Sequence, residues 1–415
     1  MQGFKMALIF GLLLLILAIR FFFFYYNQLQ YHDGQDINFE TTLLSEPQRA
    51  GNQQRINASL EKGKRIFITS SLYPEFHYAD SLSIHGEIKE IKLDNGNTIL
   101  AMYYPKVEII KKKDNLFLTI ASFIRSRAIS LLEKTLPPNS SALLLGIVFG
   151  VKESLASDFS ESLRVSGVFH VVAASGMNVT FVGGFLSSLF GWFLKRQVAV
   201  LLSILGICLY AVLAGLDPPI VRASIMGILV FTARILGRQT LATYGLFLAA
   251  FSMLMWSPSL IFDIGFQLSF LATLGLLYIQ PILEGGKNFK KLINNSVLGE
   301  GVVTTVSAQT AALPILLSNF GIYSIWSVVA NGLVLWTIPV LMIIGGIGAL
   351  VGILIPGLGS FILYFSLPIL VYFEKIIMFF GNLSGVLDIE NIPWQFIIAY
   401  YCVLFAFIIF FSRKR

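Results

Sequence analysis

From about residue 167 onward, apolar runs of roughly 20–25 residues succeed one another, the length that crosses a hydrocarbon core of about 30 Å. Candidate crossings fall at 170–193, 198–215, 219–236, 241–257, 260–281, 297–318, 324–352, 358–381 and 394–412. Lipid offers no partner to an unpaired backbone N–H or C=O, so runs of this kind are restricted to a bundle of spanning helices. Composition agrees, because 13% of residues are charged where a soluble chain carries about a quarter. Lys195/Arg196, Arg234/Arg238, Lys287/Lys290/Lys291 and Arg413/Lys414/Arg415 occupy every second connection. The intervening ones (LDPP, WSPS, NFGIYS, LDIENIP) hold no Lys or Arg. By the positive-inside rule the C-terminus is cytoplasmic; nine crossings then place residues 28–115 outside, and a first helix before them starts inside.

Three segments precede this body. MALIFGLLLLILAIRFFFFYY (6–26) is too long for a signal-peptide core and is followed by no small-residue cleavage site, so 1–27 reads as a retained transmembrane helix. Arg20 near its outer end is placed to snorkel. Residues 28–115 are polar, with short alternating runs (INFETTLL, KRIFITSSL, SLSIHGEIKEIKL, TILAMYYPKVEII) separated by turn signals. DNGN at 94–97 predicts a hairpin between Ile88–Leu93 and Thr98–Tyr104. The run of short strands predicts an extracytoplasmic β-rich, OB-like domain. Eleven Lys/Arg there face twelve Asp/Glu, which is no dedicated nucleic-acid footprint.

Residues 116–166 read as interfacial. LFLTIASFIRSRAISLLEKTL (116–136) is amphipathic, with Arg125, Arg127 and Lys134 on its polar face. SALLLGIVFG (141–150) is too short to span and is either re-entrant or buried against other helices. KESLASDFSESLRVS (152–166) is again polar and helical. The expected fold is a polytopic α-helical membrane protein of about ten transmembrane helices, some broken or re-entrant, with a small β-rich domain after the first.

Several chemistries lack their residues. The four histidines (His32, His77, His85, His170) form no HxH or HExxH, so no metal site is expected. Cys208 and Cys402 lie inside apolar runs and read as small hydrophobes. No GxxxxGK[ST] loop occurs, so no cofactor or nucleotide is expected and transport would be powered by another protein.

Polar groups inside the apolar runs are the functional candidates, because a charge at mid-membrane costs about 3 kcal/mol even on lenient scales. Asp217 and Arg222, five apart around Pro218-Pro219, could pair as a helix-end salt bridge. Gln267, Gln280 and Gln309 have the plainer reading of hydrogen bonds between helices. GVFHVVAASGMNVTFVGG (167–184) differs because its polar groups cluster. Ser175 and Asn178 share one helical face, and Gly167, Gly176, Gly183 and Gly184 permit a break or very close packing. A break at Ser175-Gly176 would be tolerated only where it lines a cavity or is buried in protein. The alternative is a tightly packed structural helix with His170 bonded to a carbonyl.

GVFHVVAASGMNV resembles the signature of the ComEC competence family, whose usual form is close to GlxHLLAISGLHv. LAGLDPPIVRASIMGIL, SPSLIFDIGFQLSFLATLGLLYI and SAQTAALPILLSNFGIYSIWSVVANGLVLWTIPVL are similar to three further family segments, in the same order, across roughly 143–345. The resemblance implies an inner-membrane channel (167–415) taking up single-stranded DNA during natural transformation, with no catalytic residues. Carried over by position, His170, Ser175, Gly176, Arg222, Gly265, Gln267, Ser269 and Asn331 are implicated in the path or its support. Asn178 stands where the family usually has a second histidine, so any role for an imidazole there is lost. Relatives often carry a C-terminal metallo-β-lactamase-like domain. Its HxHxDH set is absent from this sequence, so no nuclease activity is expected. The implied partners are membrane lipid, a cytoplasmic ATP-driven helicase or translocase, an extracytoplasmic DNA receptor, a separate nuclease, and a second copy if the channel is a homodimer. Lys287, Lys290 and Lys291 are a candidate docking surface or simply topology signals.

Two rival functions remain. An intramembrane serine protease would use Ser175 and His170 as a dyad, although the two lie five apart on one segment and point in different directions on a regular helix. A secondary transporter of a small anion suits broken helices and midplane polar groups, with Arg222 binding a carboxylate.

Overall fold

The computed structural model describes residues 2–26, 31–60, 64–92, 98–110, 116–151, 155–172, 175–237, 241–285, 297–383, 385–388 and 392–412. The DNGN turn, Arg238, Lys287, Lys290, Lys291 and Arg413–Arg415 lie outside the described residues. Contacts divide the chain into two units, Met1–Ser122 with Tyr244–Asp263, and Phe123–Thr243 with Ile264–Arg415.

The first unit opens with helix α1 (Gln2–Tyr26). Strands β1 (Asp36–Thr42), β2 (Gln48–Ala50), β3 (Gln53–Ser59), β4 (Arg65–Ser71), β5 (Ser81–Glu87), β6 (Lys89–Lys92), β7 (Thr98–Tyr103) and β8 (Lys106–Ile109) follow. They form a three-stranded sheet, β1-β5-β8, and a five-stranded sheet, β2-β3-β4-β7-β6. The expected hairpin is present as the antiparallel β6–β7 pair. β4 and β7 pair in parallel, and β5 runs into β6 with only Ile88 between them, so this stretch joins the two sheets. Alternation explains the core: in β3 and β4, Ile56, Ala58, Ile66 and Ile68 turn inward to meet Phe39, Leu82, Ile84 and Met102. Each large aliphatic so buried contributes about 1.5–3 kcal/mol. Gln54 is the buried polar exception, and it is satisfied: it donates to the Ser71 and Pro74 carbonyls at 2.7 Å and accepts from the Phe76 N–H.

Helix α9 (Ala242–Trp256) and a 3₁₀ turn (Pro258–Phe262) belong to this unit. Phe10 of α1 packs on Tyr244 and Phe247. Arg20 does not reach out to snorkel. It donates to the Met255 carbonyl at 3.1 Å, because the last carbonyls of α9 have no partner in their own helix.

The second unit contains α2 (Leu116–Thr135) from Phe123 onward, α3 (Pro138–Phe149), α4 (Ser157–Val165), α5 (Phe169–Val172), α6 (Gly176–Phe193), α7 (Arg196–Leu213) and α8 (Pro218–Ile235). After α9 come α10 (Ile264–Leu274), a π-helical turn (Gly275–Ile279), α11 (Gln280–Glu284), α12 (Val297–Phe320), α13 (Ser327–Val334) and α14 (Thr337–Leu354). The last are α15 (Pro356–Tyr364), α16 (Leu367–Gly381) and α17 (Trp394–Ser412). Among the described residues seven helices are long and apolar enough to cross a membrane, and α15 with α16, bent by 48°, makes an eighth. The expected crossings at 6–26 and 241–257 coincide with the shorter apolar stretches Phe10–Tyr26 and Ala242–Trp256. The expected crossing at 324–352 is two helices, α13 and α14, since its 29 residues exceed the roughly 20 a span needs.

α3 resolves the open reading of 141–150. Ser140 through Phe149 are all buried, and α3 packs on α14 so closely that a Cβ on Gly345 would lie 2.8 Å from Leu144. α2 corrects a second expectation. Arg125 is not on a polar face but 2% exposed, donating to the Leu213 carbonyl at the end of α7, whereas Arg127 and Lys134 are exposed. The π turn has a local cause: Pro281 has no N–H and its ring crowds the carbonyl four residues back, which a widened turn relieves.

Candidate functional site

The candidate site is built from the chain around Ser175 and from the two helices facing it. Ser175 is extended (φ −107°, ψ 167°), and α6 starts at Gly176, so the apolar segment that begins with α5 is not one regular helix. Its two halves are tied to α3. A Cβ on Gly146 would sit 2.9 Å from the Val172 carbonyl, so glycine lets the backbones of α3 and α5 approach. Asn178, 1% exposed, donates to the Ile147 carbonyl at 2.8 Å. That carbonyl lies in the last turn of α3, where no N–H from its own helix is available. Asn178 also accepts from the Ser175 hydroxyl at 3.3 Å, and its N–H donates to the Ser175 carbonyl at 3.1 Å.

Arg222 enters from α8. It does not turn back to Asp217: its guanidinium donates to the Ser269 carbonyl and to the Thr273 hydroxyl of α10, and lies over the Phe270 ring at 5.9 Å. Thr273 in turn donates to the Ser269 carbonyl at 2.9 Å. The other edge of the guanidinium covers the break, since a Cβ on Gly176 would meet Arg222 Nη2 at 2.7 Å. Arg222 Nε and the Ser269 hydroxyl have no hydrogen-bond partner among the described residues. The site is thus a half-buried cation with no carboxylate partner among the described residues, seated against an interrupted helix in an apolar surround.

The structure therefore brings together Ser175, Gly176, Asn178, Arg222 and Ser269. His170 stands apart from the Arg222 contacts. Its surface is open while Val168, Val171 and Val172 beside it are buried. The Ser175 hydroxyl is bonded to Asn178 and not to His170, so no Ser–His dyad is formed among the described residues. Gly265 and Gln267 lie half-buried at the start of α10, and Arg222 reaches neither. Asn331 is fully buried on α13 with both ends of its amide unpartnered among the described residues, and nothing in the structure accounts for that. Gln309 is bonded to Ser327 and Tyr323, as its plainer reading expects, whereas Gln280 is bonded to Glu284 one turn along its own helix.

Thr273, Phe270 and Gly146 belong to the site without standing out in the sequence. Thr273 had one signal, its i+4 spacing from Ser269 on the same face of α10.

A family model described as Competence protein matches residues 147–414, which include every residue of this site except Gly146. A Bacillus subtilis (strain 168) protein, ComE operon protein 3, is 26% identical over 273 residues, covering 64% of this chain and 33% of that protein. An Aquifex aeolicus (strain VF5) protein, described as uncharacterized, is 27% identical over 227 residues, covering 54% of this chain and 52% of its own. The chain thus spans about a third of the first relative's length and about half of the second's. No solved structure matches. With the family model covering well over half of its residues and the apolar spans that hold the site, the chain belongs to the Competence protein family.

Proposed function

We propose that this protein is the inner-membrane channel through which a single strand of DNA enters the cytoplasm during natural transformation. The observation that carries the reading is the family match over the apolar spans and, within it, Arg222 held at an interrupted helix with no carboxylate partner among the described residues. A guanidinium kept at a break is suited to a passing phosphodiester, because a charge inside a membrane normally faces a partner or a path. Ten crossings, cytoplasmic termini and an external β-rich region complete the proposal, which rests on the alternation of basic loops. The OB-like reading of that region is supported by its strand order. With β1/β2 and β5/β6 each taken as one bent strand, the barrel runs 1-2-3-5-4 with strands three and five parallel. An ATP-driven translocase inside, a DNA receptor outside and a separate nuclease are the partners this role requires.

The test is entry of labelled DNA into a DNase-protected state, in cells deleted for the gene and restored with wild type or Arg222→Gln. Deletion should abolish entry, wild type should restore it, and Arg222→Gln should fail at normal membrane abundance. Undiminished entry in the deletion under competent conditions would overturn the reading.

A further inference from the structure

Helix α12, one of the seven apolar spans, carries a buried proline, Pro314, in its interior. A proline there has no N–H for the carbonyl four residues back, that of Thr310, and its ring crowds the same carbonyl. Elsewhere in α12 the side chains that reach carbonyls belong to the helix itself and lie one turn on. Thr305 donates to Gly301, Ser307 to Val303, Thr310 to Val306 and Asn319 to Ile315. At the proline the donors come from another helix. Tyr400 of α17 donates its hydroxyl to the Thr310 carbonyl at 2.8 Å, and Tyr401 donates to the next carbonyl, that of Ala311, at 3.2 Å. A helix ladder broken in an apolar surround is repaired by neighbours, and two successive tyrosines repair this one.

The repairing helix holds on lightly. Among its described residues α17 has none that is buried, and the half-buried ones form a single stripe: Ile397, Tyr400, Tyr401, Leu404 and Ile408. The two hydroxyls are the polar ties within that stripe. The turn of α12 that they hold also meets the element that seats Arg222. Gly275, two residues after Thr273, packs so closely on α12 that a Cβ there would lie 2.9 Å from that of Ala311 and collide with the Ser307 carbonyl. Ala311 is therefore shared: Tyr401 holds its carbonyl, and its methyl group lies against Gly275. Just ahead of Gly275, the Ser269 carbonyl and the Thr273 hydroxyl accept from Arg222.

We infer that Pro314 is a hinge in α12, that the hydroxyls of Tyr400 and Tyr401 latch it, and that the latch positions α10 and its acceptors for Arg222. A helix bends most easily where a proline interrupts its bonds. Two hydroxyl bonds from outside stiffen that point and keep Ala311 seated on Gly275. Released, α12 loosens at the turn that abuts α10. Both tyrosines are positioning residues, acting on Arg222 through α12 and then α10. That DNA entry depends on the latch rests on the proposed function; the latch itself does not.

The test is amide hydrogen exchange of the full-length protein in detergent micelles, read by mass spectrometry. Tyr400→Phe with Tyr401→Phe keeps both rings and removes both hydroxyls. Exchange should rise about tenfold in α12 from Thr310 onward, the change in opening that two net hydrogen bonds can produce, and by a smaller factor in α10. Exchange in α14 should stay as it is. Adding Pro314→Ala should return both segments to wild-type exchange, because alanine supplies the N–H that the Thr310 carbonyl lacks. A role confined to packing of the rings predicts neither the rise nor the rescue. Unchanged exchange in the double variant, or a rise that Pro314→Ala leaves in place, would overturn the latch. A rise confined to α12 would overturn the positioning of α10. Should the double variant fail to reach the membrane, Tyr400→Phe alone decides, with a smaller rise that Pro314→Ala still cancels. In the DNA-entry assay the double variant should reduce entry and Pro314→Ala should recover it. Entry that needs the gene but ignores these tyrosines would sink the positioning role and leave the channel. The expected exchange in a protein dispensable for entry would sink the channel and leave the latch.

Discussion

The helical unit buries two arginines in two regions, and what surrounds each guanidinium is different. Arg125 of α2 donates to the carbonyl of Leu213, the last residue of α7, where a helix cannot satisfy its own acceptors. The cation completes a helix end and joins two elements. Arg222 of α8 donates to Ser269 inside α10, a carbonyl that the Thr273 hydroxyl also reaches, and its other edge covers the interrupted helix at Gly176. Burial of a charge is common to both and distinguishes nothing. What separates them is the acceptor: a helix end that needs a donor for Arg125, and a carbonyl inside a helix, next to an interrupted one, for Arg222.

Substituting each arginine is the strongest way to break that contrast. Arg125→Leu leaves the Leu213 carbonyl unsatisfied, about 1–3 kcal/mol, and a cavity that adds a comparable amount, so about 3–5 kcal/mol of stability should go. Arg222→Gln removes a cation that has no carboxylate partner among the described residues, which relieves desolvation as well as losing hydrogen bonds, so the loss should be much smaller. Thermal unfolding in detergent, together with membrane abundance, measures both. Equal losses would mean the two arginines do the same work.

Asn178 joins the two behaviours, since it completes the end of α3 and also holds Ser175 in the break. Asn178→Leu keeps the volume but orphans the Ile147 carbonyl, and should cost about 1–3 kcal/mol in the same unfolding measurement. A cost near zero would show that α3 does not depend on this bond. Asn178 would then belong to the break alone.

How much of this could be read in advance depended on the kind of order involved. Apolar length placed the spans to within a few residues, because the bilayer imposes it on the sequence directly, and strict alternation marked β3 and β4 as clearly. The clustering of Ser175, Gly176 and Asn178 also pointed to one place in the chain. What stayed hidden was every pairing between distant segments. Arg125 looked like part of an amphipathic polar face because its partner is a backbone carbonyl 88 residues away, which has no side-chain signature. Asp217 looked like the partner of Arg222 because it is near in sequence, while the true acceptors lie 47 and 51 residues on. Thr273 had only its spacing from Ser269. The gathering of Asp36, Glu40, Glu87 and Glu108 on one face of the β-rich region was invisible for a related reason: a sum over residues says nothing about faces until strand register is known.

Thr273 offers a finer test on the Arg222 side. Thr273→Val removes one acceptor for the guanidinium and should cost about 0.5–1.5 kcal/mol, with a fall in DNA entry that Thr273→Ser reverses. A loss that serine fails to rescue would point to the methyl group and packing. Arg222 would then not be positioned by this residue.

The smallest effect is expected at a third arginine, which carries the comparison out of the helical unit. Arg65 pairs with Asp263 at 2.6 Å, but its side chain is 64% exposed while that of Asp263 is 10% exposed. An exposed partner keeps most of its hydration and must give up side-chain freedom to hold one geometry, so the pair should contribute only about 0.2–1 kcal/mol. A double-mutant cycle on Arg65→Ala and Asp263→Asn isolates that coupling from whatever else Asp263 touches. The coupling should shrink at about 1 M salt, where the screening length is about 3 Å, whereas the cost of Arg125→Leu should not. A coupling above about 2 kcal/mol that survives salt would place Arg65 with the buried arginines. Exposure of the cation would then be the wrong measure, and the sheltered carboxylate at the start of α10 would set the strength of the pair.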